Sequence, residues 1–210
     1  NVPPTPAFVL DGASGVAPLN VLFGERSSAG AQEWSWDFGD GTSSLLRDPA
    51  HLYTESGAHA VTLTVSGPGG SASVTLPDAV QVLQPALALV RNGSGVNADC
   101  YATSELPLLG TTWHATIDAS QHPGAGLTFV YGSSAAFAQA LPWGELLVRL
   151  PAHGGVHLFT LAAASGGGVA QHTLAIPADV ALVGRTACTQ ALILGGGLEL
   201  CNAIDLTLGY

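Results

Sequence analysis

Lysine is absent from this sequence, and charged side chains of any kind are scarce. The 210 residues carry five basic side chains, all arginine, and 15 acidic ones, so the formal net charge is −10. Charged residues make up 10% of the chain, whereas average soluble proteins have about 25%. We expect no binding to nucleic acid or to anionic membranes, because both need clustered basic side chains. So few charges also leave the edges of any β-sheet open to pairing with other strands.

Methionine is absent too, and so is a stretch with the basic start and apolar core of a signal peptide. We therefore expect Asn1-Val2-Pro3-Pro4 to be the processed terminus of a secreted protein. Residues 150–178 contain no Asp, Glu, Lys or Arg, but prolines, histidines and a triple glycine interrupt them. A membrane-spanning helix needs about 20 apolar residues without such breaks, so we predict a protein that does not span a membrane.

A helical period of apolar residues is lacking, whereas alternation with a period of two recurs along the chain. In the clearest case, Trp34, Trp36 and Phe38 share one face of a strand, which ends at a Gly39-Asp40-Gly41 turn. We expect the two tryptophans to pack in a core. Short strands separated by turn residues at intervals of about 8–12 residues predict an all-β fold.

A seam between two domains is expected at Pro85, because proline cannot donate a hydrogen bond to a continuing sheet. The sequence predicts two β-sandwiches in tandem. The first is expected over residues 1–84, and the second, over residues 85–210, is expected to be jelly-roll-like or immunoglobulin-like. Within the second, one helical turn is expected over residues 135–141, ended by Pro142. The apolar residues of the last strand are expected to share one face: Leu198, Leu200, Ile204, Leu206 and Leu208.

Residues 1–84 resemble the PKD (polycystic kidney disease) domain. The matching segments follow the family's order: Pro6-Ala7-Phe8, residues 15–23, Trp36-Asp37-Phe38-Gly39-Asp40-Gly41, Asp48-Pro49 and His51-Leu52-Tyr53. The resemblance implies an immunoglobulin-like sandwich in a secreted or cell-surface protein. It also implies a spacer, or a module that contacts protein or polysaccharide, without catalysis.

Residues 85–210 resemble an uncharacterised carboxy-terminal β-sandwich of secreted proteins from environmental bacteria. The matching segments are residues 92–97, 109–113, 144–148 and 202–206. This second resemblance implies an extracellular setting and no particular activity.

Asp37, Asp40 and Asp48 are weak candidates for a calcium site, since Ca²⁺ prefers carboxylate oxygens. The PKD resemblance allows calcium, but the acidic loop that binds it in some members precedes the tryptophan strand. Here that loop is residues 25–33, which contain no aspartate. We therefore expect the three carboxylates to cap turns, and we predict no resident metal or other cofactor.

The three cysteines lack C-x-x-C spacing, so one disulfide and one spare thiol are the simplest arrangement for an extracellular chain. Cys100 follows the first strand of the second domain and Cys201 lies in the last, and such strands are commonly neighbours in sandwiches. We predict a Cys100–Cys201 disulfide that stabilises the fold by roughly 4–5 kcal/mol. The role of Cys188 stays open.

Two further positions are candidate sites. Asn92 begins an Asn-x-Ser pattern, which accepts glycans in secreted proteins. Trp143, between Pro142 and Gly144, is the best candidate for an exposed aromatic that contacts a sugar. No G-x-S-x-G nucleophile motif is present, and we predict no enzymatic activity.

These features favour a secreted structural protein whose copies assemble into a fibre, sheath or surface layer through strand-edge and domain–domain contacts. Without lysine no Lys–Asn isopeptide bond can join the copies. Assembly is therefore expected to be non-covalent, or to use the spare cysteine. The alternative is an adhesin, or a carbohydrate-binding accessory module of a larger secreted protein, with polysaccharide as the partner.

Overall fold

Nearly all regular structure in the computed structural model is β-strand, which confirms the all-β prediction. The structure describes residues 2–122 and 124–210. The chain divides into two compact units, and the division lies between Gln84 and Pro85. Each unit has its own sheets and its own hydrophobic core.

In the first unit the strands form two sheets, with orders β1-β3-β6 and β2-β8-β7-β4-β5. Neighbouring strands are antiparallel except for β2, which runs parallel to β8. The strands are β1 (Phe8–Asp11), β2 (Ser14–Val16), β3 (Leu19–Glu25), β4 (Glu33–Asp37), β5 (Ser43–Ser44), β6 (Ala50–Tyr53), β7 (Gly57–Gly67) and β8 (Gly70–Leu83).

The core of the first unit is rich in aromatic rings, and β4 brings the tryptophans to it. Trp36 and Phe38 are buried. Trp34, on the same face, is half-buried, and the guanidinium of Arg47 lies 5.6 Å from the centre of its ring. The indole N–H of Trp36 donates to the backbone oxygen of Leu46 at 2.9 Å, which satisfies the polar end of the buried ring. The aromatic face of β4 therefore points inward, as its alternating pattern indicates.

In the second unit a five-stranded sheet of order β15-β12-β17-β18-β9 accompanies a three-stranded sheet of order β10-β11-β16 and a β13-β14 hairpin. Short 3-10 turns lie at Pro151–His153 and Val180–Leu182. The strands are β9 (Leu87–Arg91), β10 (Tyr101–Ala102), β11 (Thr112–Asp118), β12 (Leu127–Ser133), β13 (Ala136–Leu141), β14 (Gly144–Val148), β15 (His157–Ala164), β16 (Val169–Ala175), β17 (Thr186–Leu194) and β18 (Leu198–Thr207).

The core of the second unit lies between its two larger sheets. Trp113 and Ile117 of β11 pack in one cluster with Val130 of β12, Ile193 of β17 and Ile204 of β18. The two sheets therefore form a β-sandwich, since each contributes one apolar face to the shared core.

Residues 135–141 do not form the expected helical turn. Ala136–Leu141 is strand β13, which pairs antiparallel with β14, and the Leu141–Gly144 pair closes the hairpin. Pro142 stands in the tight turn, where its fixed φ is favourable, rather than at the end of a helix. Gly144, with φ of +128°, begins the return strand.

The apolar residues of the last strand do not share one face. The ladder between β17 and β18 shifts register, and β18 carries one extra residue just after Leu200. Leu200 consequently packs on the hairpin side of the sheet, whereas Cys201 and Ile204 pack in the sandwich core. A β-bulge of this kind reverses the alternation of side chains, and a strict period of two does not reveal it.

Candidate interaction surfaces

Asp37 and Asp48 both accept hydrogen bonds from backbone N–H groups of the first unit. Asp37 Oδ1 accepts a hydrogen bond from the N–H of Gly39 at 2.9 Å, and Asp48 Oδ1 accepts one from the N–H of Glu25 at 2.7 Å. Within residues 2–122 and 124–210, no group of three His, Cys, Asp or Glu side chains is placed to hold a metal ion. Asp37 thus caps the turn after β4, whereas Asp48 holds the end of β3 from a distant loop.

Asp40 ties the Gly39-Asp40-Gly41 turn to the other sheet. Its Oδ1 accepts hydrogen bonds from the N–H and the hydroxyl of Thr42, at 3.0 and 2.6 Å, and its Oδ2 lies 2.6 Å from Nε2 of His51 on β6. The His51 ring stacks on Phe38 with centroids 4.2 Å apart. Partial burial opposes ionisation of Asp40, but hydrogen bonds from Thr42 and His51 outweigh it and lower the pKa to about 2.

The cysteines of the second unit divide into a bonded pair and a buried thiol. Cys100 and Cys201 form a disulfide that closes a loop with a sequence separation of 101 residues. Cys188 is free and buried. Burial, together with the neighbouring Asp205 carboxylate, raises the pKa of its thiol to about 11, so the reactive thiolate is rare at neutral pH. This thiol is poorly suited to cross-link copies of the chain.

Asn92 and Ser94, the two polar residues of the glycosylation pattern, both make side-chain hydrogen bonds. Asn92 Nδ2 donates to the backbone oxygen of Asn97 at 3.2 Å. The Ser94 hydroxyl donates to the Glu145 carboxylate at 3.0 Å. A glycan on Asn92 would have to replace the first of these hydrogen bonds, and its presence stays a prediction.

Strand β15 lies at one end of the five-stranded sheet and pairs with β12. Its eight residues, HLFTLAAA, include no Asp, Glu, Lys or Arg, and Thr160, Ala162 and Ala164 are exposed. Strand β16 follows after residues 165–168, ends the other sheet of the sandwich and also lacks charged residues. One side of the second unit therefore presents two consecutive edge strands without charge.

Buried amide side chains hold the β13-β14 hairpin against the outer face of the five-stranded sheet. Gln190 accepts from the N–H of Leu147 at 2.8 Å and donates to the backbone oxygens of Glu145 and Cys201 at 2.8 and 3.0 Å. Asn97 accepts from the N–H of Glu145 at 2.6 Å and donates to its backbone oxygen at 2.8 Å. These amides take the place of a neighbouring strand, so backbone N–H and C=O groups of β14 have hydrogen-bond partners although β14 does not join the sheet.

An apolar cavity of about 220 Å³ lies between this hairpin and the sheet. Six leucines, among them Leu146, Leu192 and Leu200, line it together with Tyr131 and Trp143. Trp143 is 45% exposed in the hairpin turn, and its backbone oxygen accepts from the N–H of Leu200 at 3.4 Å. The hydroxyl of Tyr131 is buried and has no hydrogen-bond partner among the described groups.

The sequence singled out Trp143 as a candidate, but it did not point to the two amides or to the cavity. Gln190 stands among alanine, leucine and isoleucine in β17, and a lone amide in such a strand is a sign of a buried hydrogen-bonding role. The cavity itself depends on how the hairpin folds back over the sheet, which no local pattern records.

The fold of the first unit defines it as an immunoglobulin-like module, and comparison with known proteins gives its family. The family model described as PKD domain matches residues 1–82. The PKD1 domain of the Vibrio cholerae metalloprotease PrtV is 32% identical, and the match covers 39% of this chain and 98% of that one, with a TM-score of 0.33. Through its first unit, the chain belongs to the PKD domain family.

Two further solved structures are similar to this chain. The PKD1 domain of Vibrio anguillarum Epp is 29% identical, with 40% of this chain and 99% of that one covered and a TM-score of 0.35. A carbohydrate-binding module from the β-sandwich superfamily is 17% identical, with 99% and 97% covered and a TM-score of 0.36. A search of curated proteins found no match.

A PKD domain is a non-catalytic module typical of extracellular proteins, and it fits an adhesin or an accessory module. The Cys100–Cys201 disulfide is consistent with an oxidising compartment. In the described parts of the chain, no helix is long and apolar enough to cross a membrane.

Proposed function

We propose that this chain is a secreted, non-catalytic structural protein whose copies assemble by strand addition at β15. The observation that carries the proposal is that β15, the longest strand at a sheet end in the described chain, has no charged side chain. Edges of soluble sheets are usually short, charged or covered, because an open edge offers unpaired N–H and C=O groups to another strand. β15 is neither short nor charged, so neither feature protects its edge from pairing with another strand.

Other sheet ends of the described chain are less open. Strands β5 and β10 have two residues each, and β2 has three. Strand β9 has five residues and ends in Arg91, which donates to the Asp205 carboxylate at 2.8 Å. Strands β13 and β16 also lack charge but have six and seven residues, so length favours β15 as the site of contact.

The net charge of −10 also favours a contact on this side. Two copies repel each other over most of their surface, whereas residues 150–178 bring no ionised Asp, Glu, Lys or Arg to a contact. Salt would screen the repulsion without weakening strand pairing, so association through β15 should strengthen as ionic strength rises.

The geometry of pairing would decide the form of the assembly. If β15 pairs with β9 of the next copy, the five-stranded sheets join end to end, and this head-to-tail contact propagates into a fibre. If β15 pairs with β15, a two-fold dimer closes. A fibre, sheath or layer requires the first arrangement or a second contact.

A lysine in the middle of the exposed edge tests the proposal. In a contact between two β15 strands, Ala162→Lys places two positive charges close together. In a contact between β15 and another strand, it buries one unpaired charge. In both cases it should weaken association at least about tenfold. Sedimentation velocity and negative-stain electron microscopy of the wild-type chain at increasing concentration measure the effect. The wild type should form assemblies larger than a monomer.

Val96→Lys is the matched control, because it adds the same charge at a position that is 66% exposed in the same unit and outside the edge strands. This variant should associate like the wild type. A wild-type chain that stays monomeric at high concentration, or equal loss in both lysine variants, would rule out assembly through β15.

Carbohydrate contact is a second candidate function, and Trp143 is the observation that favours it. An exposed indole can stack on the face of a sugar ring. Trp34 is half-buried, and Trp36 and Trp113 are buried, so the described chain has one exposed tryptophan rather than a row. A glycan array with the wild type and Trp143→Ala tests this candidate: binding that the substitution abolishes would favour it over a purely structural role.

A further inference from the structure

We propose that His172 makes the side of the second unit formed by β15 and β16 sensitive to mild acid. His172 lies on β16, is 2% exposed and faces the core between the two larger sheets. It joins these sheets through a hydrogen bond to Thr128 of β12. Protonation of its ring would favour opening of this part of the sandwich before the rest. The inference does not depend on self-assembly.

Three strands meet at the His172 ring. Its Nε2 lies 2.9 Å from the hydroxyl oxygen of Thr128, and this hydroxyl donates to the backbone oxygen of Ala163 on β15 at 3.2 Å. A hydroxyl has one proton, so Nε2 is the donor when Thr128 donates to Ala163. Nδ1 is then a bare acceptor, and it is buried without a hydrogen-bond partner among the described groups. The arrangement therefore suits a neutral imidazole.

No carboxylate faces His172 from the strands packed against it in the described chain. The ionisable residues of β11, His114 and Asp118, are exposed on the outer face of their sheet. Those of β12 and β15 are Tyr131 and His157, whose rings pack with centroids 5.1 Å apart, and Tyr131 faces the hairpin side of the sheet. A proton on Nδ1 would thus create a buried cation without a counter-charge and an N–H without an acceptor.

The direction of the pH effect follows from this burial. Burial lowers the pKa of His172 below the ordinary histidine value of 6.5. A locally opened chain therefore takes up the proton at a higher pH than the closed chain does. The stability of this region falls as the pH drops through about 6.5, because acid then favours the open form. The fall ends once the closed form is itself protonated.

A second buried hydrogen bond joins the same sheets without responding to mild acid. The hydroxyl of Tyr101 on β10 lies 2.9 Å from that of Thr189 on β17. Burial raises the pKa of the Tyr101 phenol above its usual value, and neither hydroxyl gains a charge as the pH falls below neutrality. We therefore expect the β10 end of the three-stranded sheet to stay closed while the β16 end opens.

Two measurements on the wild-type chain test the proposal. In an NMR titration, His172 should take up its proton at a lower pH in the folded chain than in urea. Amide exchange, corrected for the intrinsic effect of pH, should show the open population of β15 and β16 rising up to about tenfold between pH 7.5 and pH 5.5. Protection of β17 and β18 should change less. Equal titration of His172 in both states, or an equal change in β17 and β18, would overturn the proposal.

His172→Gln keeps an N–H for Thr128 but cannot gain a charge. Its open population in β15 and β16 should change less than about twofold over the same pH range. His157→Gln is the matched control, because it removes an exposed histidine from β15 itself, and it should respond like the wild type. Equal pH responses in His172→Gln and the wild type would contradict the role of His172. If His172→Gln does not fold, the wild-type titration decides, since it needs no variant.

Discussion

At the scale of single residues, the carboxylate of Asp40 connects the two sheets of the first unit. It closes the turn after β4 through Thr42 and reaches His51 on β6, which belongs to the other sheet. The residue that looked like a metal ligand therefore holds the two sheets of the first unit together. The stability that Asp40 contributes to the first unit depends on the charge of its carboxylate, and hence on pH.

We predict that Asp40→Asn destabilises the first unit by roughly 1 kcal/mol at pH 7, because the ionised form accepts the stronger hydrogen bonds. The native pKa is about 2, below the unfolded value of about 3.9. The stabilisation is thus complete above about pH 4 and disappears as the pH falls towards 2. Urea unfolding of wild type and variant between pH 7 and pH 2 measures the difference.

Asp11→Asn is the charge-matched control for this prediction, since Asp11 is exposed in the same unit. Its effect on the unfolding free energy should be small. A difference between wild type and Asp40→Asn that persists unchanged at pH 2 would contradict the assignment.

Cys188 provides a second prediction at the residue scale. With a native pKa of about 11 and an unfolded pKa of about 8.5, its thiolate fraction at pH 8 should be roughly 200-fold lower in the folded chain. We expect a disulfide reagent to modify Cys188 very slowly until urea unfolds the second unit. Rapid modification of the native chain would show an accessible thiol, and would reopen cross-linking as a route of assembly.

At the scale of elements, the β13-β14 hairpin depends on side chains rather than on a sheet ladder. Gln190→Leu keeps the volume but leaves the N–H of Leu147 without its acceptor. We expect a loss of about 2–3 kcal/mol in unfolding free energy, because buried backbone groups would be left unpaired. Amide hydrogen exchange should show that Leu147 loses protection more than residues of β17.

Gln139→Leu on the exposed face of β13 is the matched control, and it should change stability little. If the two substitutions lower the unfolding free energy equally, the amide at position 190 does not hold the hairpin.

The elements also show where sequence reasoning succeeded and where it failed. The period of two placed Trp36 and Phe38 in the core, because alternation follows directly from strand geometry. It failed at Leu200, because a bulge adds a residue without leaving a mark in the pattern. It failed at residues 136–141, because a short run of alanines suits a helical turn until the pairing with β14 decides otherwise.

At the scale of the whole molecule, the disulfide lies within one of the two units. We predict that Cys100→Ala with Cys201→Ala lowers the stability of the second unit by roughly 4–5 kcal/mol, since the bond closes a long loop in the unfolded chain. Scanning calorimetry should show two transitions, of which only the second-unit transition shifts to lower temperature. Cys188→Ala is the control for loss of a sulfur atom, and a shift of both transitions would argue against independent units.

The sequence by itself determined the strand content, the PKD module and the scarcity of charge, because composition, alternation and a contiguous motif are local properties. Tertiary structure decided which strand ends a sheet, which amides hold the hairpin, and where a cavity remains. Sheet order, the bulge after Leu200 and the packing of β14 on β17 and β18 are set by contacts between residues far apart in the chain. Such pairings depend on the balance of many contacts, so the surfaces proposed for function emerge only once the chain has folded.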